Sequence, residues 1–207
     1  MSPPSSIDPS ILERAADVLR QGGLVAYPTD TLYGLAARPT DARAVERLFA
    51  AKGRPPERAV PLLIASPMDL AAVAEDVPEV ARRLMGAFWP GALTIVLRTA
   101  RGFRSTATGE TVAVRVPDHP VPRELVRLLG QPITGTSANV SGGPEPLTPD
   151  DVRAQLGESV DLVIDGGRCR GGQPSTVVDC TTDPPRIVRE GAVSREELTR
   201  VTEVGLE

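Results

Sequence analysis

The chain has 207 residues, of which 41% are hydrophobic and 24% charged, a composition typical of a soluble globular protein. Its net charge of −4 excludes a strongly basic nucleic-acid binder by bulk charge. Two isolated cysteines, Cys169 and Cys180, predict neither a disulfide framework nor a zinc site. Without a signal peptide or an apolar run of about 20 residues, we expect a cytoplasmic protein that does not contact membranes.

The first quarter of the chain alternates helix and strand patterns. Asp8 and Pro9 suit the start of a helix that ends at Gly22-Gly23, and residues 24–27 are apolar, as in a buried strand. Asp41 suits the start of a second helix, which ends near Lys52-Gly53.

The alternation continues to the end of the chain. Further strands are predicted over residues 62–64, 93–97, 111–116 and 132–134, with short ones around 163, 177 and 187. Helices are predicted from 66–67, from 78 to about 89, over 123–129, from 148–149 and from a capping box of Ser194 and Glu197. No linker or repeat interrupts this pattern. We therefore expect one α/β (mixed α+β) domain over residues 1–207, with helices flanking a twisted mixed sheet.

Lys52 is the only lysine of the chain, beside 22 arginines, and it opens the sequence Lys52-Gly53-Arg54-Pro55. An ammonium is a compact donor that the planar guanidinium does not replace. The bland interpretation is a helix C-cap, where cations and glycine are both favoured. The second cation, Arg54, instead favours a clamp for phosphate.

Three further groups of polar residues follow predicted strands. Residues 28–35 carry several hydroxyls, Arg115 ends an alternating apolar strand, and residues 136–139 read Thr-Ser-Ala-Asn. A turn, a rim salt bridge and an Asx turn are the respective structural alternatives. As ligand contacts, they suit a small polar molecule with a carboxylate or phosphate.

Late in the chain, Ser175 and Arg189 add another hydroxyl and another cation. The glycine-rich run at residues 166–172 predicts a flexible loop and lacks the Gly-Lys-Ser/Thr ending of a Walker loop. His119, the only histidine, is interpreted as a turn residue. Many anion-binding groups with few general bases indicate phosphoryl or nucleotidyl transfer.

Seven sequence blocks, in order along nearly the whole chain, resemble one known family, the YrdC-like domain of threonylcarbamoyl-AMP synthases of the single-domain type. The blocks lie at residues 28–35, 52–55, 88–94, 112–117, 136–139, 175–179 and 188–191. The resemblance implies the YrdC-like fold, in which a twisted mixed sheet and helices surround a concave, basic cleft.

The resemblance also implies an activity: ATP, L-threonine and bicarbonate yield threonylcarbamoyl-adenylate and pyrophosphate, with Mg²⁺ accompanying ATP. The product would feed a downstream tRNA threonylcarbamoyl transferase, and weak binding of tRNA or double-stranded RNA is implied as well. No protein-bound structural metal is expected. Matching positions imply catalytic roles for Lys52 and Arg54; ATP contacts for Lys52, Arg54, Arg58, Thr111, Ser137, Asn139 and Arg189; and threonine contacts for Thr31, Arg115 and Ser175.

Two alternatives stay open at this point. Many relatives carry a histidine where this chain has Ala65-Ser66, which leaves room for a paralogue that keeps the nucleotide cleft but does not use threonine. The other alternative is an RNA-binding module. If the enzyme interpretation holds, Lys52→Ala and Arg54→Ala should abolish turnover with a nearly unchanged thermal transition, whereas a helix cap would show itself as lost stability.

Overall fold

A computed structural model describes residues 8–53 and 59–202 of the chain. The strands are β1 Val25–Tyr27, β2 Gly34–Ala36, β3 Leu62–Leu63, β4 Ala74–Glu75, β5 Leu93–Thr99, β6 Thr111–Arg115, β7 Ile133–Thr134, β8 Thr136–Ser137, β9 Leu162–Val163, β10 Thr176–Asp179 and β11 Arg186–Arg189. The α-helices are α1 Pro9–Arg20, α2 Ala42–Lys52, α3 Glu79–Phe88, α4 Pro120–Leu129, α5 Pro149–Leu156 and α6 Arg195–Thr202. Short 3₁₀ helices cover Pro67–Ala72 and Gly157–Ser159. None of the helices described is long and apolar enough to cross a membrane.

The strands form two sheets. The smaller has the order β8-β2-β1-β9, with β2 antiparallel to both neighbours and β9 parallel to β1. The larger has the order β11-β10-β5-β6-β3-β7 and mixes parallel and antiparallel pairs, while β4 pairs with β5 outside this order.

Three apolar clusters hold the sheets and helices together. Side chains of α2 and α5 pack on the smaller sheet, and those of α3 and α6 pack on the larger one. The third cluster joins the two sheets, because α1 and α4 pack together with Tyr27 of the smaller sheet and Leu63 and Ile133 of the larger. Burial of these aliphatic side chains is the main stabilising term.

One short segment belongs to both sheets. β7 pairs with β3 of the larger sheet, and two residues later β8 pairs with β2 of the smaller. Gly135 lies between them, and its amide donates to Pro61 O at 2.7 Å. A Cβ there would lie 2.7 Å from Leu63 Cδ2, so a larger residue would have to displace the buried Leu63 side chain of β3.

The predicted fold class is confirmed. The strands form two sheets, however, where a single sheet was expected. The helix limits that rest on caps are confirmed: Asp8 and Asp41 accept amides at the starts of α1 and α2, and Gly53 ends α2 at φ +57°. The prediction for α4 was wrong at its start, because the helix begins at Pro120. His119, interpreted as a turn residue, is its N-cap, with Nδ1 accepting the Val121 amide at 3.3 Å.

Candidate active site

A cavity of about 900 Å³ lies between the two sheets. This volume falls within the range of about 300–1,000 Å³ that is usual for small-molecule sites. Three cations line it, and none of its described lining residues is an aspartate or glutamate: Lys52 comes from α2, Arg115 from the end of β6 and Arg189 from the end of β11. The cavity is therefore suited to an anionic ligand.

Lys52 is buried at the nucleotide end predicted from the sequence. Its ammonium donates to Ser137 O at 2.5 Å, to Asn139 O at 2.7 Å and to Asn139 Oδ1 at 3.3 Å. In return, the Ser141 amide donates to Lys52 O at 2.9 Å. Three oxygens around one nitrogen match an ammonium and not a planar guanidinium. Lys52 thus fixes the loop that carries Ser137 and Asn139.

The same loop is connected internally. Ser137 Oγ donates to Asn139 Oδ1 at 2.6 Å, and Asn139 Nδ2 donates to Gly143 O at 3.0 Å and Pro144 O at 3.2 Å. The Asn139 side chain thereby holds the turn that follows it. The structure brings Lys52, Ser137 and Asn139 together as the sequence predicted, within a rigid polar network.

Arg115 is buried at the other end of the cavity. Its Nη2 donates to Asp30 Oδ1 at 2.6 Å, Nη1 to Thr31 Oγ1 at 3.1 Å and Nε to Gly91 O at 2.8 Å. Thr31 is oriented by Thr29, whose hydroxyl oxygen lies 3.0 Å from Thr31 Oγ1 and accepts the Thr31 amide at the same distance. The guanidinium is therefore held in one orientation. The salt bridge that was the structural alternative for Arg115 is present, with Asp30 as its partner, but Arg115 is buried and does not lie at the rim.

Ser175 and Arg189 form a neighbouring pair. Ser175 Oγ lies 2.9 Å from Thr94 Oγ1, and Arg189 Nη2 donates to Ser175 O at 2.8 Å. Arg189 lies at the exposed rim of the cavity, but part of its side chain is shielded from water. This partial burial, and then repulsion from Arg115, lowers the pKa of Arg189. The two guanidiniums thus face the same space, and an anion between them would relieve that repulsion.

The structure describes only some of the remaining residues that the sequence analysis singled out. Thr111 lines the cavity at an exposed position at the start of β6. Arg54 and Arg58 lie outside the described residues. Ala65 and Ser66, which bear on the paralogue alternative, line a separate cavity of about 450 Å³ beside the first 3₁₀ helix.

Two partners of the predicted residues were missed from the sequence: Asp30, which pairs with Arg115, and Thr94, which contacts Ser175. Both lie inside conspicuous blocks, Asp30 between two threonines and Thr94 directly after Leu93. The signal was present, but only the tertiary structure shows which partner each one has.

The donor set of the site does not resemble a protein-built metal site. Within residues 8–53 and 59–202, no group of three or more His, Cys, Asp or Glu side chains could hold a metal ion. A magnesium ion arriving on a triphosphate would keep phosphate oxygens and water as its main ligands, as this ion usually does. Among the described residues, a Mg²⁺ ion in this cavity would therefore be held mainly by oxygens of a bound ligand and of water.

Comparison with known proteins decides the family. The Sua5/YciO/YrdC family model, described as "Telomere recombination", matches residues 17–191. The chain belongs to this family. It is 42% identical to "Threonylcarbamoyl-AMP synthase" of Pyrococcus abyssi over 189 residues, 90% of this chain and 56% of the relative. To the protein of the same name from Bacillus subtilis it is 40% identical over 200 residues, 95% of this chain and 58% of the relative.

A solved structure shows the same fold. The crystal structure of P. abyssi Sua5 complexed with L-threonine superposes with a TM-score of 0.93 at 39% identity, over 98% of this chain and 61% of that one. This chain therefore spans somewhat more than half the length of these relatives. The family resemblance and the fold expected from the sequence are confirmed.

Proposed function

We propose that this protein is an L-threonylcarbamoyladenylate synthase, which makes threonylcarbamoyl-AMP and pyrophosphate from L-threonine, bicarbonate and MgATP. The observation that carries the proposal is the two-ended cavity. One end is the loop of Ser137 and Asn139, and the other is the fixed guanidinium of Arg115 beside Thr31. The names of the family members above, and the threonine complex of one of them, support it.

Threonine fits the Arg115 end by charge and hydrogen bonding. A guanidinium has five N–H donors, and Arg115 uses three of them on Asp30, Thr31 and Gly91, which leaves two for a carboxylate. The hydroxyl groups of Thr31 and Ser175 also line the cavity and can bind polar groups of the amino acid. Arg189, beside Ser175, adds positive charge towards the phosphates.

The reaction needs positioning more than proton transfer. The amine of threonine combines with bicarbonate to give a carbamate and water, and a carbamate oxygen then attacks the α-phosphorus while the bond to pyrophosphate breaks. Negative charge accumulates on the departing pyrophosphate, and a cationic lining without carboxylates among the described residues stabilises it. Fixing both reactants in one rigid cavity supplies the orientation. Lys52 contributes by holding the Ser137–Asn139 loop, and Arg54 stays a predicted phosphate contact.

Downstream roles stay predictions. The product would pass to a tRNA threonylcarbamoyl transferase, and weak contact with tRNA or double-stranded RNA follows from the resemblance. The cytoplasmic location stays the expectation drawn from the composition of the chain. The paralogue alternative stays open for the assay to decide; Ala65 and Ser66, which raised it, line the separate 450 Å³ cavity.

The test is pyrophosphate release from ATP with and without threonine and bicarbonate. We expect pyrophosphate release only when threonine and bicarbonate are both present. Arg115→Lys, which loses the two-pronged donor, should raise the threonine KM at least about ten-fold, the effect of losing one charged hydrogen bond. Arg101→Lys, whose side chain is 94% exposed, is the matched control and should behave as the unmodified protein. Release that ignores threonine, or salt-sensitive RNA binding without any release, would refute the proposal.

A further inference from the structure

The glycine-rich loop at residues 166–172, which the sequence left without a role, lies against the back of the threonine end of the cavity. Tyr33 links them: its hydroxyl donates to Gly167 O at 2.8 Å and accepts the Gly166 amide at 3.1 Å. Tyr33 follows Thr31 by two residues and lines the cavity itself. The loop is therefore attached to the segment that presents Asp30 and Thr31 to Arg115.

Gly171 makes the closest approach. A Cβ on this residue would lie 2.8 Å from both Thr31 Cα and Thr31 O, and 2.9 Å from Asp30 O. All three are backbone atoms, which cannot rotate away as a side-chain end can. Reaching an ordinary contact of 3.4 Å from 2.8 Å would need a displacement of about 0.6 Å.

The loop has little freedom to take up that displacement. Before Gly171, the buried Cys169 donates its amide to Leu147 O at 2.8 Å. After it, Pro174 O accepts the Ala192 amide at 2.9 Å, directly before Ser175. Because the loop is tied down on both sides, an added side chain at position 171 would push the Thr31 backbone.

From these contacts we infer that Gly171 is a positioning residue for the threonine end of the site. The missing side chain lets the loop seat on the Asp30–Thr31 backbone, which directs the Thr31 hydroxyl and the Asp30 carboxylate at Arg115. The kinetic consequence rests on the proposed function, whereas the structural one does not. The loop predicted to be flexible thus acts as a fixed support.

The experiment uses Gly171→Ala with Gly102→Ala as a matched control, since a Cβ on Gly102 meets nothing within 4 Å. Amide hydrogen exchange by NMR on the ligand-free protein reads the position of the segment directly. The amides of Thr31 and Leu32, which donate to Thr29 Oγ1 at 3.0 and 3.2 Å, should lose protection in Gly171→Ala and keep it in Gly102→Ala.

Kinetics give the second measurement. Gly171→Ala should raise the threonine KM by about ten-fold or more, because a displacement of about 1 Å in a site can cost about 100-fold in catalytic efficiency. The ATP KM should stay within about two-fold, because the displaced backbone belongs to the threonine end. Tyr33→Phe, which frees the loop without adding bulk, should also raise the threonine KM, and it replaces Gly171→Ala if that variant does not fold. Unchanged exchange at Thr31 and Leu32, or equal changes in both KM values, would overturn the inference. A parent protein without threonine-dependent release would overturn the proposed function, while the exchange data would still decide on Gly171.

Discussion

Replacing Lys52 by methionine removes the ammonium and keeps most of the aliphatic stem. In the structure, that ammonium donates to Ser137 O, Asn139 O and Asn139 Oδ1. The variant would remove this donor from the Ser137 and Asn139 carbonyls, in a place where Lys52 is only 3% exposed, while Asn139 Oδ1 would keep its hydrogen bond from Ser137 Oγ. Each buried polar group left unsatisfied costs about 1–3 kcal/mol, and relief from burying a charge offsets part of the sum, so we expect a loss of about 2–4 kcal/mol in unfolding free energy.

This expectation differs from the one drawn from the sequence, which put Lys52→Ala near the parent protein in thermal stability. At about 2–4 °C per kcal/mol for a chain of this size, the melting temperature should fall by about 5–15 °C. Thermal and urea unfolding measure it. Arg43→Ala on the same helix is the control, because Arg43 is exposed. Lys52→Arg should also destabilise, since a planar fork does not fit three oxygens grouped around one nitrogen.

A melting temperature of Lys52→Met within about 1 °C of the parent would refute this reasoning, because the hydrogen-bond loss should move it further. If activity were lost in that same stable variant, Lys52 would act on the phosphates alone, as first expected.

Three further outcomes follow from the structure. Arg189→Ala should weaken ATP binding, measured by titration calorimetry, with little change in melting temperature, because the residue lies at the exposed rim; a large stability loss would contradict this. Thr94→Val removes the buried hydroxyl beside Ser175 and should raise the threonine KM while the ATP KM stays constant. Burial raises the pKa of Asp161, but hydrogen bonds from the Leu24 amide and Arg47 outweigh it and lower the pKa below 3.8. Asp161→Asn should therefore reduce stability at pH 7, and the difference from the parent should shrink as pH falls below 3.8; a constant difference from pH 7 to 2 would contradict this.

Helix limits could be predicted from the sequence where a cap side chain acts on its own backbone, as Asp41 and Gly53 do for α2. The strands β2 and β8 could not, because each has only two or three residues and forms through its partner across the sheet. At the junction of the two sheets, Gly135 passes close to Leu63, a contact between distant parts of the sequence that no local pattern reveals.

The site shows the same division. The residue types and their grouping at strand ends were readable, and Lys52, Ser137 and Asn139 do lie together. The hydrogen bonds between them could not be predicted, because Lys52 and Ser137 are 85 residues apart in the sequence and only the tertiary structure brings them together. Arg115 was predicted either to bind a ligand carboxylate or to form a rim salt bridge, and the structure shows a salt bridge with Asp30 in which Arg115 is buried.

The junction at Gly135 has a consequence for how the molecule unfolds. Thr31 follows β1 of the smaller sheet, whereas Arg115 and Ser175 belong to the larger sheet or adjoin it. Neither sheet alone supplies all three of these residues, so under the proposed function a partly unfolded state with one sheet intact would lack part of the binding site. Ligand binding then favours only the state in which both sheets are docked. Saturation with threonine and ATP should therefore slow amide exchange in both sheets together, as expected if the two sheets unfold as one cooperative unit.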